Sequence, residues 1–149
     1  MYFKIVSVMG NDILPGMAQS DIHAGFPSPA ADYMTQAIDL NKELVRHPAA
    51  TFYGRVVGDS MTDAGVDEGD ILVIDKSLDA QDGDMAVCFV DGEFTLKYLR
   101  FIESETSGGI RERRIILMPA NEKYPEIEVS EGVDFKLWGV VTYVIKKVR

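Results

Sequence analysis

The sequence holds a single cysteine, Cys88, and two histidines, His23 and His47. One cysteine excludes an intramolecular disulfide and any multi-cysteine zinc site. So few histidines give little support to a Ser-His-Asp triad or to a histidine-based metal centre. No metal or other cofactor is expected. Long apolar runs are also missing. The longest, Met85–Val90, has six residues, against the ~20 that a membrane-crossing helix needs, so no membrane association is expected. The first residues, MYFKIVSVMGNDILPG, lack the apolar stretch of roughly 7–15 residues that marks a secretory signal. These absences favour the cytoplasm. Cations are outnumbered: 15 Lys and Arg stand against 24 Asp and Glu, a net charge of −9. Nucleic-acid binding rests on neutralising phosphates, so no direct DNA binding is expected. A partner that itself holds DNA is compatible with this charge.

What is present is ordinary globular composition, 46% hydrophobic and 26% charged over 149 residues, enough for one domain with a real core. Residues 10–33 contain Gly10, Pro15, Gly16, Gly25, Pro27 and Pro29. That density of breakers sustains neither a helix nor a central strand, and the stretch reads as an extended arm. A short helix follows, with Asp39 as its cap and Ile38, Leu40, Leu44 and Val45 as an apolar face; His47-Pro48 ends it. From Thr51 the texture is β. Strands are expected over Thr51–Val57, Ile71–Ile74, Met85–Val90, Glu93–Leu99, Arg113–Met118 and Phe135–Val148. Asp91-Gly92 is a strong two-residue hairpin signal. Residues 103–112, ESETSGGIRE, read as an exposed loop or hairpin tip. The fold class is therefore all-β and mostly antiparallel, with one short helix and an extended N-terminal arm. The chain divides into an arm (1–24), a tail with the short helix (25–50) and a β-rich domain (51–149).

Two residues stand out chemically. Ser60 lies in Gly58-Asp59-Ser60-Met61, a glycine-bearing turn after a strand. A serine nucleophile needs a base, and with histidine scarce the alternative is lysine. Lys97 lies in Glu93–Leu99, where Thr95, Lys97 and Leu99 share one face and Phe94, Leu96 and Tyr98 the other. It is either an edge-strand lysine that discourages aggregation or a buried lysine whose amine is neutral near neutral pH. Composition does not choose between them.

The motifs Gly58-Asp59-Ser60-Met61, Gly69-Asp70, Gly83-Asp84 and Asp91-Gly92-Glu93-Phe94-Thr95-Leu96-Lys97, in that order, resemble the self-cleaving serine peptidase family that includes LexA, phage repressors and UmuD. The Ser60-to-Lys97 separation of 37 residues fits that family. Ala24–Tyr33 (AGFPSPAADY) and Ile38-Asp39-Leu40-Asn41 are similar to the cleavage region of its UmuD branch, and Gly139-Val140-Val141 continues the match. The resemblance implies a LexA-type peptidase domain with Ser60 as nucleophile and Lys97 as general base. It implies a scissile bond at Ala24–Gly25, between small residues that let the carbonyl approach a shallow cleft. Oxyanion donors would include backbone N–H groups around Ser60 and Met61. It further implies a precursor made in the SOS response, cleavage stimulated by the RecA nucleoprotein filament, and a homodimeric product serving a UmuC-type Y-family error-prone DNA polymerase. The alternatives are a non-catalytic polymerase-interaction module and a phage or plasmid LexA-like repressor fragment. The second is opposed by the residues before Ala24–Gly25, too few and too rich in glycine and proline for a DNA-reading domain.

The remaining clusters have plainer readings. Asp59, Asp63, Asp67, Glu68 and Asp70 do not follow calcium-loop spacing and read as solvated turn carboxylates. Cys88 reads as a buried core thiol. Met61 is expected to pack under its turn, and Trp138 to be core or dimer interface. Arg111, Arg113, Arg114, Lys146, Lys147 and Arg149 read as solvated strand ends.

Overall fold

Asp91 and Gly92 both take positive φ, +47° and +89°, the pair of left-handed residues that a two-residue hairpin turn requires. In the computed structural model they join strand β6 (Met85–Val90) to β7 (Glu93–Glu105), in register from Val90 opposite Glu93 to Met85 opposite Tyr98. The structure describes residues 2–7, 16–17 and 36–149. Its other strands are β1 (Tyr2–Ser7), β2 (Gly16–Met17), β3 (Gln36–Ala37), β4 (Thr51–Val57), β5 (Ile71–Asp75), β8 (Arg111–Met118), β9 (Ile127–Val129) and β10 (Phe135–Ile145). Eight of them form one antiparallel sheet in the order β1-β4-β5-β10-β6-β7-β8-β9. That sheet belongs to one compact unit, residues 1–8 and 47–149; residues 9–46 make a second. Within the second, β2 pairs antiparallel with β3. There the short helix α1 (Leu40–Leu44) is capped by Asp39, whose Oδ1 accepts from the N–H of Asn41 (3.0 Å) and Lys42 (3.4 Å). That cap is the one read from the sequence.

The all-β, mostly antiparallel expectation holds. The alternation along β6 and β7 has a structural counterpart in two apolar clusters. Val87 and Leu96 join Val56, Met61, Val66, Leu72 and Ile74 in one. Ala86 and Cys88 join Leu99 and Leu117 in the other. Burying such side chains stabilises by about 1.5–3 kcal/mol each relative to exposure.

Some boundaries differ. The polar segment 103–112 is mostly strand: β7 and β8 stay paired out to Glu105 opposite Arg111. The tip is confined to residues 106–110, closed by the Thr106 N–H donating to the Ile110 carbonyl at 2.9 Å. Opposite charges facing each other, Glu103 with Arg113 and Glu105 with Arg111, support pairing that no apolar pattern announced. β10 stops at Ile145 rather than Val148, and Val148 is fully exposed. Neither β1 nor the three-residue β9 was expected.

Asp70 is not a solvated turn carboxylate. It is buried, and it accepts from the Asp67 N–H (2.9 Å) and from Lys146 Nζ (2.7 Å). Burial pushes its carboxyl up, but these donors more than offset that and hold it below the usual carboxylate range. Lys146, read as a solvated strand end, is thus tied to the turn before β5. Buried Asp75 behaves alike, with burial outweighed by the Ser77 hydroxyl (2.6 Å), His47 Nδ1 (2.6 Å) and the Ser77 N–H (2.8 Å).

β10 lies between β5 and β6, and its register shifts between Leu137 and Gly139. A Cβ on Gly139 would stand 2.6 Å from Ile74 Cγ2. Gly139→Ala is therefore expected to destabilise by about 1–3 kcal/mol, lowering the melting temperature by roughly 2–12 °C. Gly108→Ala, where a Cβ meets nothing within 4 Å, serves as the control. The depressed carboxyls set an acid limit. Their stabilisation is present above the ordinary carboxylate pKa of about 4 and is lost as pH falls through their lower folded values. Melting curves of the parent chain and Asp70→Asn should differ at neutral pH, draw together as pH falls below about 4 and converge below the lowered folded pKa of Asp70.

Candidate active site

The turn that carries Ser60 begins where β4 ends. Gly58 takes φ +99°, a conformation that side chains resist, and turns the chain out of the sheet. A single 3-10 turn, Thr62–Ala64, follows and closes on Gly65 at φ +75°. Met61 points down from it and is fully buried in the cluster with Val56, Val66 and Leu72, as expected from the sequence. The side chain beneath therefore anchors the turn that presents Ser60.

From above, the turn is held by residues that follow β8. The Ala120 N–H donates to the Ser60 carbonyl (3.0 Å), and the Asp63 N–H donates to the Ala120 carbonyl (2.8 Å). Asn121 Nδ2 donates to the Asp59 carbonyl (2.8 Å) and to Thr62 Oγ1 (3.3 Å). Thr62 Oγ1 also donates to the Asp59 carbonyl (3.1 Å). Ser60 itself is buried, at 5% exposure.

Lys97 is not an edge lysine. Its strand β7 runs between β6 and β8, and Lys97 is 5% exposed. It stands opposite Ala86 and diagonal to Cys88, two residues along β6 on the same face. Desolvation holds its ammonium below the ordinary lysine range; the nearby Cys88 acts weakly the other way. Burial in turn pushes the Cys88 thiol up to about 12, so Cys88 is a neutral core thiol.

The 119–124 segment reaches both residues. The Tyr124 hydroxyl donates to Asp59 Oδ1, beside Ser60. The Tyr124 ring centroid is 6.0 Å from Lys97 Nζ. The Tyr124 hydroxyl, helped by Lys123 at 3.9 Å, holds the exposed Asp59 carboxyl below its usual range, and Asp59 raises the tyrosine. Tyr124 thus meets both the residue before Ser60 and the Lys97 side chain, while Met61 lies in the core beneath the turn. Ala24, Gly25 and His23 lie outside the described residues. Sequence reasoning missed Ala120, Asn121 and Tyr124. Pro119 and Asn121, two turn formers straight after a strand, were the available signal. A cavity of about 330 Å³ is lined by residues that include Tyr98, Arg100, Met118 and Pro119. It neighbours this site in the chain, and neither Ser60 nor Lys97 lines it.

Residues 15–142 match the family model described as Peptidase S24-like. The chain belongs to the Peptidase S24-like family. Its relatives include Protein SamA of Salmonella typhimurium strain LT2, 43% identical over 126 residues, which are 85% of this chain and 81% of SamA. Protein ImpA of Salmonella typhimurium is 41% identical over 126 residues, 85% of this chain and 79% of ImpA. Protein MucA of Escherichia coli is 40% identical over 123 residues, 82% of this chain and 77% of MucA. The resemblance to the LexA/UmuD-like self-cleaving serine peptidases, first drawn from the ordered motifs, is borne out.

The clamp on the turn gives a local test. Asn121→Ala removes two hydrogen bonds to the turn and one from the Lys123 N–H within its own loop, and is expected to cost about 1–3 kcal/mol. Amide hydrogen exchange around residues 59–63 should accelerate more than exchange in β10.

Proposed function

We propose that this chain is a UmuD-like SOS mutagenesis protein that cleaves its own Ala24–Gly25 bond with a Ser60/Lys97 dyad. The observation that carries this reading is the burial of Lys97 in an interior strand, beside the tyrosine that also holds the Ser60 turn. A buried amine whose pKa is lowered accepts a proton more readily near neutral pH. In the first step neutral Lys97 Nζ takes the Ser60 hydroxyl proton while Oγ bonds to the Ala24 carbonyl carbon. The tetrahedral oxyanion draws on backbone N–H groups at Ser60 and Met61. Among the described residues the Met61 N–H donates no hydrogen bond, which supports that role. Lys97 then returns the proton to the Gly25 nitrogen as the peptide bond breaks. Water, deprotonated by the same amine, hydrolyses the Ala24–Ser60 ester, and the Lys97 ammonium returns that proton to Ser60 Oγ as the C–O bond breaks. Residues 1–24 leave with a new carboxylate, and the remainder begins with the Gly25 amine.

The same reading places this chemistry in the cytoplasm. The RecA nucleoprotein filament stimulates cleavage. The shortened product forms a homodimer and serves a UmuC-type Y-family polymerase in translesion synthesis. Family membership and the three relatives support this assignment. The net charge of −9 suits a protein that reaches DNA through partners.

Incubation with activated RecA, or at alkaline pH, should remove residues 1–24, read by intact mass. Ser60→Ala and Lys97→Ala should each slow this by on the order of a thousandfold or more. The base works as the free amine, so the rate should rise with pH and be half-maximal below the ordinary lysine value of 10.5. A chain that stays whole under all these conditions would leave the non-catalytic polymerase-interaction module as the better reading.

A further inference from the structure

We propose that Tyr124 is a positioning residue for self-cleavage, a strap that sets the Ser60 turn against the Lys97 side chain. This rests on the dyad reading above. The sheet itself gives little help in setting that distance. Ser60 follows β4 and Lys97 sits in β7, with β5, β10 and β6 between them in the strand order. The short route runs the other way. Met118, the last residue of β8, pairs with Tyr98 next to Lys97, and two residues later Ala120 is bonded to the Ser60 carbonyl. Tyr124 completes this route. Its backbone N–H donates to the Asn121 carbonyl at 3.1 Å. Its hydroxyl holds the Asp59 carboxylate, and its ring lies near the Lys97 amine.

The two ends of the side chain do different work. Tyr124 is 42% exposed, Lys97 is 5% exposed, and the ring centroid lies 6.0 Å from the amine; the role assigned to the ring is to keep water from Lys97. The hydroxyl fixes the residue before the nucleophile. Among the described residues, the titratable groups placed around Lys97 are Cys88 from β6, Tyr124 from the loop, and beyond it Asp59 with Lys123. Ring and hydroxyl are therefore separable by substitution. Removing the ring admits water and raises the Lys97 pKa. Removing only the hydroxyl loosens Asp59 and leaves the amine covered.

The test uses the full chain in two forms. In Ser60→Ala, which keeps the chain whole, the Lys97 side-chain resonance is titrated by NMR with Tyr124, Tyr124→Phe, Tyr124→Leu and Tyr124→Ala. The same spectra report folding, and Tyr124→Leu keeps bulk at the site if the alanine variant does not fold. The midpoint should rise by about half a pH unit or more without the aromatic ring and stay within about 0.2 in the phenylalanine variant. With Ser60 present, Tyr124→Phe should slow self-cleavage by on the order of tenfold while its pH profile keeps its midpoint. An unmoved or lowered Lys97 midpoint in the ringless variants, or parental cleavage by Tyr124→Phe, overturns the proposal. Cleavage that survives Lys97→Ala is a different failure, that of the dyad reading itself, and the titration in the uncleaved chain distinguishes the two.

Discussion

Placing an amine inside a sheet is the constraint around which this molecule is arranged. A lysine at 5% exposure is costly as an ammonium, and the cost falls as the proton leaves. The strand that bears it must be internal, since an edge would let the side chain reach water. β8 supplies the second neighbour, and β8 is itself bordered by β9. Burial also keeps the thiol beside the lysine protonated, which limits the pull of Cys88 toward the charged form. Each of these features pushes the amine toward the free base, the form that catalysis by lysine requires.

The opposite problem arises at Ser60. A turn that presents a hydroxyl must stay fixed although it lies outside the sheet. Here it is gripped from two sides, by Met61 in the core below and by Ala120 and Asn121 above. Hydrogen bonds between two loops hold such a grip only if both loops are anchored, and the strands β4 and β8 anchor them. Further along the same sheet, Lys146 beyond the end of β10 reaches back to Asp67 and Asp70 in the turn before β5. Local charge pairing thus secures the second turn that follows β4.

Much of this was legible in the residues. Period-two alternation gave the faces of β7 correctly, and Asp91-Gly92 gave the turn that joins it to β6, because both signals are local. The Asp39 cap was legible for the same reason. What stayed hidden depends on distant partners. β9 is too short to show a pattern, and β1 is defined by its pairing with β4. Asp70 looks like any turn aspartate until Lys146, 76 residues away in sequence, is folded against it. The choice between an edge and a buried Lys97 likewise turned on strand order, which periodicity does not encode. Ala120, Asn121 and Tyr124 carry no motif of their own, and their importance comes from where β8 delivers them.

The ribbon formed by the outer halves of β7 and β8 has an evolutionary side. From the pair Ile102 and Arg114 outward, neither β6 nor β9 pairs with it. Residues gained or lost there in matched numbers on the two strands lengthen or shorten a free-standing ladder and leave the pairing of Leu99 with Leu117 untouched. An insertion confined to one strand would instead be absorbed by the tip, whose glycines already accept left-handed turns. The outer ribbon is therefore the part of the sheet where length can drift between relatives without moving the lysine.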